Sequence, residues 1–196
     1  GQPIVVQPEP AASGVVAAAK VARAEPDGYT LLAGNTGGLV LRPLALKNIS
    51  YNPTKDFTPI AQLTEPVFVL AVKQSLPIHN MKELVAYTRE NPTSSFIGVS
   101  GSGSSADLSV YMLQELGMPH LKSVTYKDDN QPLIDTVGGN VIGAIGAGSS
   151  VKRFAQAGSV RVIAVLSEGR KPGWEEIATV SEQMPGFKPL RSFMGL

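Results

Sequence analysis

The sequence predicts an α/β protein built on mostly parallel sheets, and three observations carry that prediction. Short apolar runs with strand character alternate with apolar-periodic runs of helical length. The connecting loops are short, and three of them, each following a predicted strand, are rich in glycine and small residues. The composition is globular, with 43% hydrophobic and 17% charged residues in a chain of 196. That is enough apolar material for one domain or two small lobes.

Taken in order, Pro3 to Gln7 reads as a strand and Gly14 to Ala24 as an alanine-rich helix. Pro26-Asp27-Gly28 supplies turn residues ahead of a second buried strand, Tyr29 to Ala33. Gly34 to Gly38 is a glycine-rich loop leading into a short helix, Leu39 to Leu46. Asn52 to Asp56 is a surface loop. Phe57 to Leu63 and Pro66 to Val72 read as consecutive strands. Asn80 caps a helix from Met81 to Arg89, with Glu83 at the capping-box spacing. Ser95 to Val99 is a buried strand and Leu108 to Leu116 a helix. Val124 to Tyr126 is a short strand, and Gln131 to Val137 a helix ended by Gly138-Gly139. Val141 to Ile145 is a strand, and Gly146 to Ser150 a third small-residue loop opening a helix to Ala157. Arg161 to Leu166 is a strand, Glu168 to Glu176 a polar excursion, and Thr179 to Met184 a short helix. The strand–helix–strand rhythm occurs twice. That rhythm is compatible with two lobes, one of residues 1–65 plus 167–196 and another of 66–166, which would be joined near Thr64 and Val165.

The stretch Val99 to Leu108, VSGSGSSADL, is the centre of the functional reading. Its glycines let a bound group approach the backbone and permit positive φ. The first N–H groups of the following helix lack intrahelical partners, and with the helix dipole they favour an anion. Ser100, Ser102, Ser104 and Ser105 add hydroxyls around Gly101 and Gly103. The unit reads as a site for a carboxylate or phosphate, with an ordinary βα turn capped by serine as the alternative. In a parallel α/β sheet ligands sit beyond the carboxyl ends of the strands. That brings in Asn35 and Thr36 from the second loop, either as ligand contacts or as caps of the next helix, and Gly146, Ala147 and Gly148 from the third. Asp107 complements the helix dipole, with a ligand-positioning role as the alternative.

Other chemistries find less support. Gly101-Ser-Gly103-Ser-Ser-Ala106 matches G-x-G-x-x-A after a strand and before a helix, with Asp128 near the place of a ribose-binding acid. A nicotinamide enzyme on that fingerprint is the rival reading, but no acid–base groups cluster to serve it. No G-x-S-x-G is present. His79 and His120 lie in loops with no metal-ligand spacing. Lys127 reads as an exposed lysine beside Asp128 and Asp129, and Trp174 as a packing residue in a charged segment. The net charge of +1 and 6% aromatic content give no sign of a nucleic-acid partner. No apolar run approaches a membrane span. With no cysteine, disulfides and thiolate chemistry are excluded, which fits an oxidising compartment.

With these motifs in hand, the chain resembles the substrate-binding proteins of tripartite tricarboxylate transporters, the Bordetella uptake gene family. The matching stretches include Gly1 to Val6, Ala22 to Leu32, Tyr51 to Phe57, Ser75-Leu-Pro77, Gly101 to Leu108, Tyr126-Lys127, Gly138 to Val141, Arg161 to Val165 and Pro185-Gly-Phe187. They run end to end in family order. The resemblance implies the type II periplasmic-binding-protein fold, with two α/β lobes closing on a hinge. It implies capture of a small organic carboxylate, a di- or tricarboxylate or an aromatic one, in the interlobe cleft. Delivery would be to membrane subunits of the transporter, with no catalysis, no cofactor and no insertion of this chain into the membrane. It implies a periplasmic location, the signal peptide lying outside this chain. It also implies that Ser100 to Asp107 hold the carboxylate, with the loops at Gly34 to Gly37 and Gly146 to Ser149 facing the same cleft.

The departures lie at the ends and in two loops. A further first strand and the usual C-terminal portion are missing, which leaves the lobe of residues 1–65 and 167–196 incomplete. Gln7 to Gly14 replaces an Asn-Arg-Pro-Gly-rich run, and Gly146-Ala147-Gly148 stands where many members have an acid. A homodimer would cover the apolar surface of the incomplete lobe. A homologue that binds no ligand and serves as an interaction module is the remaining alternative.

Overall fold

Two sheets organise the chain in the computed structural model, which describes residues 1–9 and 14–196. The reason is plainest in β3 (Phe68–Lys73). Leu70 and Val72 enter one buried cluster while Val69 and Ala71 enter another on the opposite face, because alternate strand residues point to opposite sides. A strand covered on both faces needs apolar residues throughout, and Phe68-Val-Leu-Ala-Val72 supplies them.

Around β3 lies a five-stranded sheet with β4 (Phe96–Ser100), β5 (Lys122–Tyr126), β6 (Gly143–Ala147) and β7 (Val160–Val165), in the order β5-β4-β6-β3-β7. β4 pairs in parallel with β5 and β6, while β3 opposes both its neighbours, so four of the five strands share one direction. On one face pack α3 (Met81–Glu90), α4 (Ser105–Glu115) and α7 (Val180–Gln183), through Met81, Leu84, Val110, Leu113 and Val180. On the other pack α5 (Gln131–Gly138) and α6 (Gly148–Gln156), through Leu133 and Val151. The α3 cap forms as expected: Asn80 Oδ1 accepts the Glu83 N–H at 2.9 Å, and Glu83 reaches back to the His79 N–H at 2.6 Å.

The second sheet is small and antiparallel. It comprises β1 (Gly34–Asn35), β2 (Gln62–Thr64) and β8 (Met194–Gly195), in the order β1-β8-β2. With it go α1 (Val15–Val21) and a wide helical turn, Gly37–Leu41, that runs into α2 (Arg42–Ala45).

Several expectations are corrected. Pro3 to Gln7 forms no strand among the described residues, and Ile4 is 87% exposed. Tyr29 to Ala33 is likewise no strand, and Tyr29 is 91% exposed. Apolar alternation makes a strand only where a neighbour takes its hydrogen bonds, and neither run has one. The strand expected from Phe57 to Leu63 contracts to the three exposed residues of β2. The third small-residue loop does not form. Gly146 pairs with Val69 and the Gly148 N–H donates to Val67 O at 2.7 Å, so strand runs directly into helix. α4 begins three residues early because Ser104 caps it. The departure read at Gln7 to Gly14 falls partly outside the described residues. No helix among the described residues is long and apolar enough to cross a membrane.

Candidate functional site

The central loop leaves β4 at Ser100 and enters α4 at Ser105. Gly101 (φ 73°) and Gly103 (φ 66°) take left-handed backbone conformations that favour glycine. The Gly101 N–H donates to Tyr126 O at 3.0 Å, which ties the loop to β5. Ser104 Oγ accepts the Asp107 N–H at 3.2 Å, and Asp107 Oδ2 accepts the Gly103 N–H at 2.7 Å. This reciprocal bracket closes the first turn of α4. Ser105 and Ala106 follow as the first helical residues, where amides have no intrahelical acceptor. α4 has 11 residues, so its dipole is well developed at this end.

Opposite stand Asn35 and Thr36. Asn35 Oδ1 accepts the Gly38 N–H at 2.9 Å and so orders the turn after β1. Thr36 is buried, donates its N–H to Phe193 O at 3.2 Å and accepts the Phe193 N–H on Oγ1 at 2.8 Å. One contact reaches across to the central loop: Ser192 Oγ donates to Ser105 Oγ at 2.9 Å.

Between these elements opens a cleft of about 740 Å³. Of the residues singled out in the sequence, Ser100, Gly101, Ser104, Ser105, Asn35, Thr36 and Ala147 line it. Five do not. The Gly103 amide is taken by Asp107, and Asp107 lies buried beneath the loop. Ser102 does not line the cleft, and its carbonyl is held by Arg42 Nη2. Gly146 is a paired strand residue, and Gly148 is buried, with Trp174 Nε1 2.7 Å from where a Cβ would stand. Trp174 is thus the packing residue expected of it.

Sequence reasoning missed Ser192, Phe193 and Met194, which return to the cleft from the end of the chain, and Phe68, Asn130 and Ser150. The first three carried no motif. Phe68 belonged to an apolar run that read simply as strand. Lys127 is exposed at the rim with Asp128 and Asp129. Asp128 Oδ1 accepts the N–H groups of Asn130 at 2.8 Å and Gln131 at 2.9 Å. The acid a dinucleotide fingerprint requires is therefore engaged in opening α5. Below it, the Tyr126 hydroxyl donates to Asp135 Oδ2 at 2.7 Å. Burial, then that bond to Asp135, pushes the Tyr126 phenol up to about 12. Among the described residues no group of His, Cys, Asp and Glu could hold a metal ion.

The fold and cleft define an α/β binding protein of the periplasmic binding-protein class. Residues 1–196 match the family described as tripartite tricarboxylate transporter family receptor, and the chain belongs to that family. It is 32% identical over 187 residues to a UPF0065 protein of Bordetella bronchiseptica, covering 95% of this chain and 55% of that one. Among solved structures it is similar to the R. palustris protein Rpa4515 with adipate, at 31% identity and TM-score 0.86, covering 94% of this chain and 62% of that one. MatC of Rhodopseudomonas palustris with bound malate matches at 27% identity and TM-score 0.81, covering 94% and 63%. The periplasmic binding protein BugD matches at 28% and 0.81, covering 94% and 61%. The chain thus spans between half and two thirds of the length of these relatives.

Proposed function

We propose that this chain carries the ligand cleft of an extracytoplasmic receptor, in the periplasm, that captures a small organic carboxylate without catalysis and passes it to the membrane subunits of a tripartite transporter. The observation that carries the reading is the meeting of two walls. The α4 N-terminus with Ser100, Gly101, Ser104 and Ser105 faces Asn35 and Thr36 across one cleft. Neutral donors at a helix N-terminus hold a carboxylate while avoiding the several kcal/mol that desolvating an ion pair costs. That suits reversible capture. Family membership supports the reading, as do relatives solved with adipate and with malate.

In this reading residues 66–166 form one lobe, residues 1–65 with 167–196 the other, and the crossings near Thr64 and Val165 are the hinge. The exposed apolar runs at Ile4 to Val6 and at Tyr29 and Leu31 favour a further part of it: a second copy of the chain covers them as a homodimer. Light scattering tests this directly, since a monomer at all concentrations removes the dimer.

The test of the function is calorimetry of the chain against adipate, malate, citrate and benzoate, with nicotinamide dinucleotides as the contrast. Binding of a carboxylate at micromolar or tighter affinity, lost in Ser105→Phe, supports the receptor. Binding of a dinucleotide alone replaces it with an enzyme. Silence towards both in a cooperatively folded chain favours a non-binding interaction module.

A further inference from the structure

We propose that Arg42 is a positioning residue of the carboxylate site, pinning the 101–104 loop from the far wall of the cleft and balancing the buried charge of Asp107. The inference rests on the carboxylate reading above. Arg42 belongs to α2, which follows Asn35 and Thr36 in the chain and stands with the small sheet. Its half-buried guanidinium nevertheless reaches the loop that leaves β4, donating from Nη2 to Ser102 O. Nε and Cζ lie 3.2 and 3.3 Å from where a Cβ on Gly103 would stand. Gly103 is therefore required twice: for its positive φ and for the space the guanidinium fills.

Beneath the same glycine lies Asp107, only 3% exposed, with Oδ2 on the Gly103 N–H and Oδ1 buried without a hydrogen-bond partner among the described residues. Arg42 Nε is likewise buried without a partner. The two charges thus flank one loop residue, and they are not joined in an ion pair. A carboxylate held at the α4 N-terminus would feel the negative field of Asp107 in a partly desolvated place, where charges act strongly. Arg42 offsets that field without facing the cleft. It also links the walls: its contact with Ser102 requires α2 and the loop to be together. The sequence offered no means of placing a basic residue against this loop, because 60 positions separate Arg42 from Ser102.

The experiment compares the wild-type chain with Arg42→Gln, Arg42→Lys, Asp107→Asn and the Arg42→Gln/Asp107→Asn double variant, using adipate and malate as probes. Arg42→Gln should weaken binding about ten-fold or more, as loss of a charged hydrogen-bond donor does. Arg42→Lys, which keeps the charge but not the fork, should fall between. The double variant should recover much of the lost affinity, because removing the carboxylate removes the field that Arg42 offsets. Equal binding in Arg42→Gln and wild type, or a double variant weaker than Arg42→Gln, overturns the charge-balancing role. A second readout needs no ligand. Amide exchange of residues 101–107 should be about ten-fold faster in Arg42→Gln at unchanged global stability, and unchanged exchange overturns the pinning role. If the wild type binds neither probe the receptor reading fails, while the exchange measurement still decides the pinning. If Arg42→Gln does not fold, Arg42→Lys carries both readouts.

Discussion

The five-stranded and three-stranded sheets receive very different cover. In the larger, β3, β4 and β6 bury Val69 to Val72, Ile97, Val99, Ala144 and Ile145 between helices on both faces. In the smaller, β1 and β8 have two residues each, all three residues of β2 are exposed, and Leu63 is 56% exposed. The cleft lies where they meet. One wall is thus fixed by a packed core. The other meets it through polar contacts that include Ser105 with Ser192 and Arg42 with Ser102. A wall of that kind can move as a unit while the other keeps the glycine–serine turn in shape, which is what the proposed opening and closing around a ligand requires.

The widest gap between the two regions should appear on truncating matched leucines. Leu70→Ala, in the centre of the larger sheet, should cost about 2–5 kcal/mol of unfolding free energy. Leu63→Ala, exposed on β2, should cost no more than about 0.5 kcal/mol. Denaturant titration reads both, and similar losses would remove the distinction. Next in size is Gly148→Ala at the start of α6. The added Cβ meets Trp174 Nε1 at 2.7 Å, so the indole must shift, at about 1–3 kcal/mol, with a change in tryptophan fluorescence. A smaller loss, about 1 kcal/mol, is expected for Thr179→Ala. It removes the α7 capping box, in which Thr179 Oγ1 accepts the Glu182 N–H at 3.1 Å and Glu182 Oε2 accepts the Thr179 N–H at 2.6 Å.

The gentlest test is pH. The Thr179 N–H, then the Arg170 guanidinium, holds Glu182 below its ordinary 4.5. The Arg191 guanidinium does the same for Glu168, and the Tyr126 hydroxyl lowers Asp135. A carboxyl whose folded pKa is depressed adds stability above its unfolded pKa and loses it as pH falls through the folded value. The melting temperature should therefore be level near neutrality and decline only as pH drops below about 4.5. Arg191→Gln should soften the decline, because it releases Glu168. A steep dependence between neutrality and pH 6 would contradict these assignments.

The contrast between the sheets also divides what could be read from the chain. Where the core is continuous, local pattern and final structure mostly agree: the β3 run, the Asn80 cap and the Gly139 stop of α5 at φ 84° form as read, and the strand–loop–helix unit after Ser100 forms with its helix three residues longer at the start. Two failures fall in the thinly covered region, at Pro3 to Gln7 and Tyr29 to Ala33, where strand-like residues find no neighbouring strand; a third falls in the larger sheet, where pairing with β3 draws Gly146 into β6 and leaves no loop before α6.

The same division holds in the cleft. The turn of glycines and serines and the helix that follows are encoded locally, because φ preference, capping and the dipole act over a few neighbouring residues. What faces that turn was settled by long-range folding. It brought Ser192 to Met194 back across the cleft, closed the Gly146 to Gly148 loop into strand and helix, and set Arg42 against Ser102. Those outcomes depend on contacts between residues far apart in the chain, and no short-range pattern encodes a partner that only folding supplies.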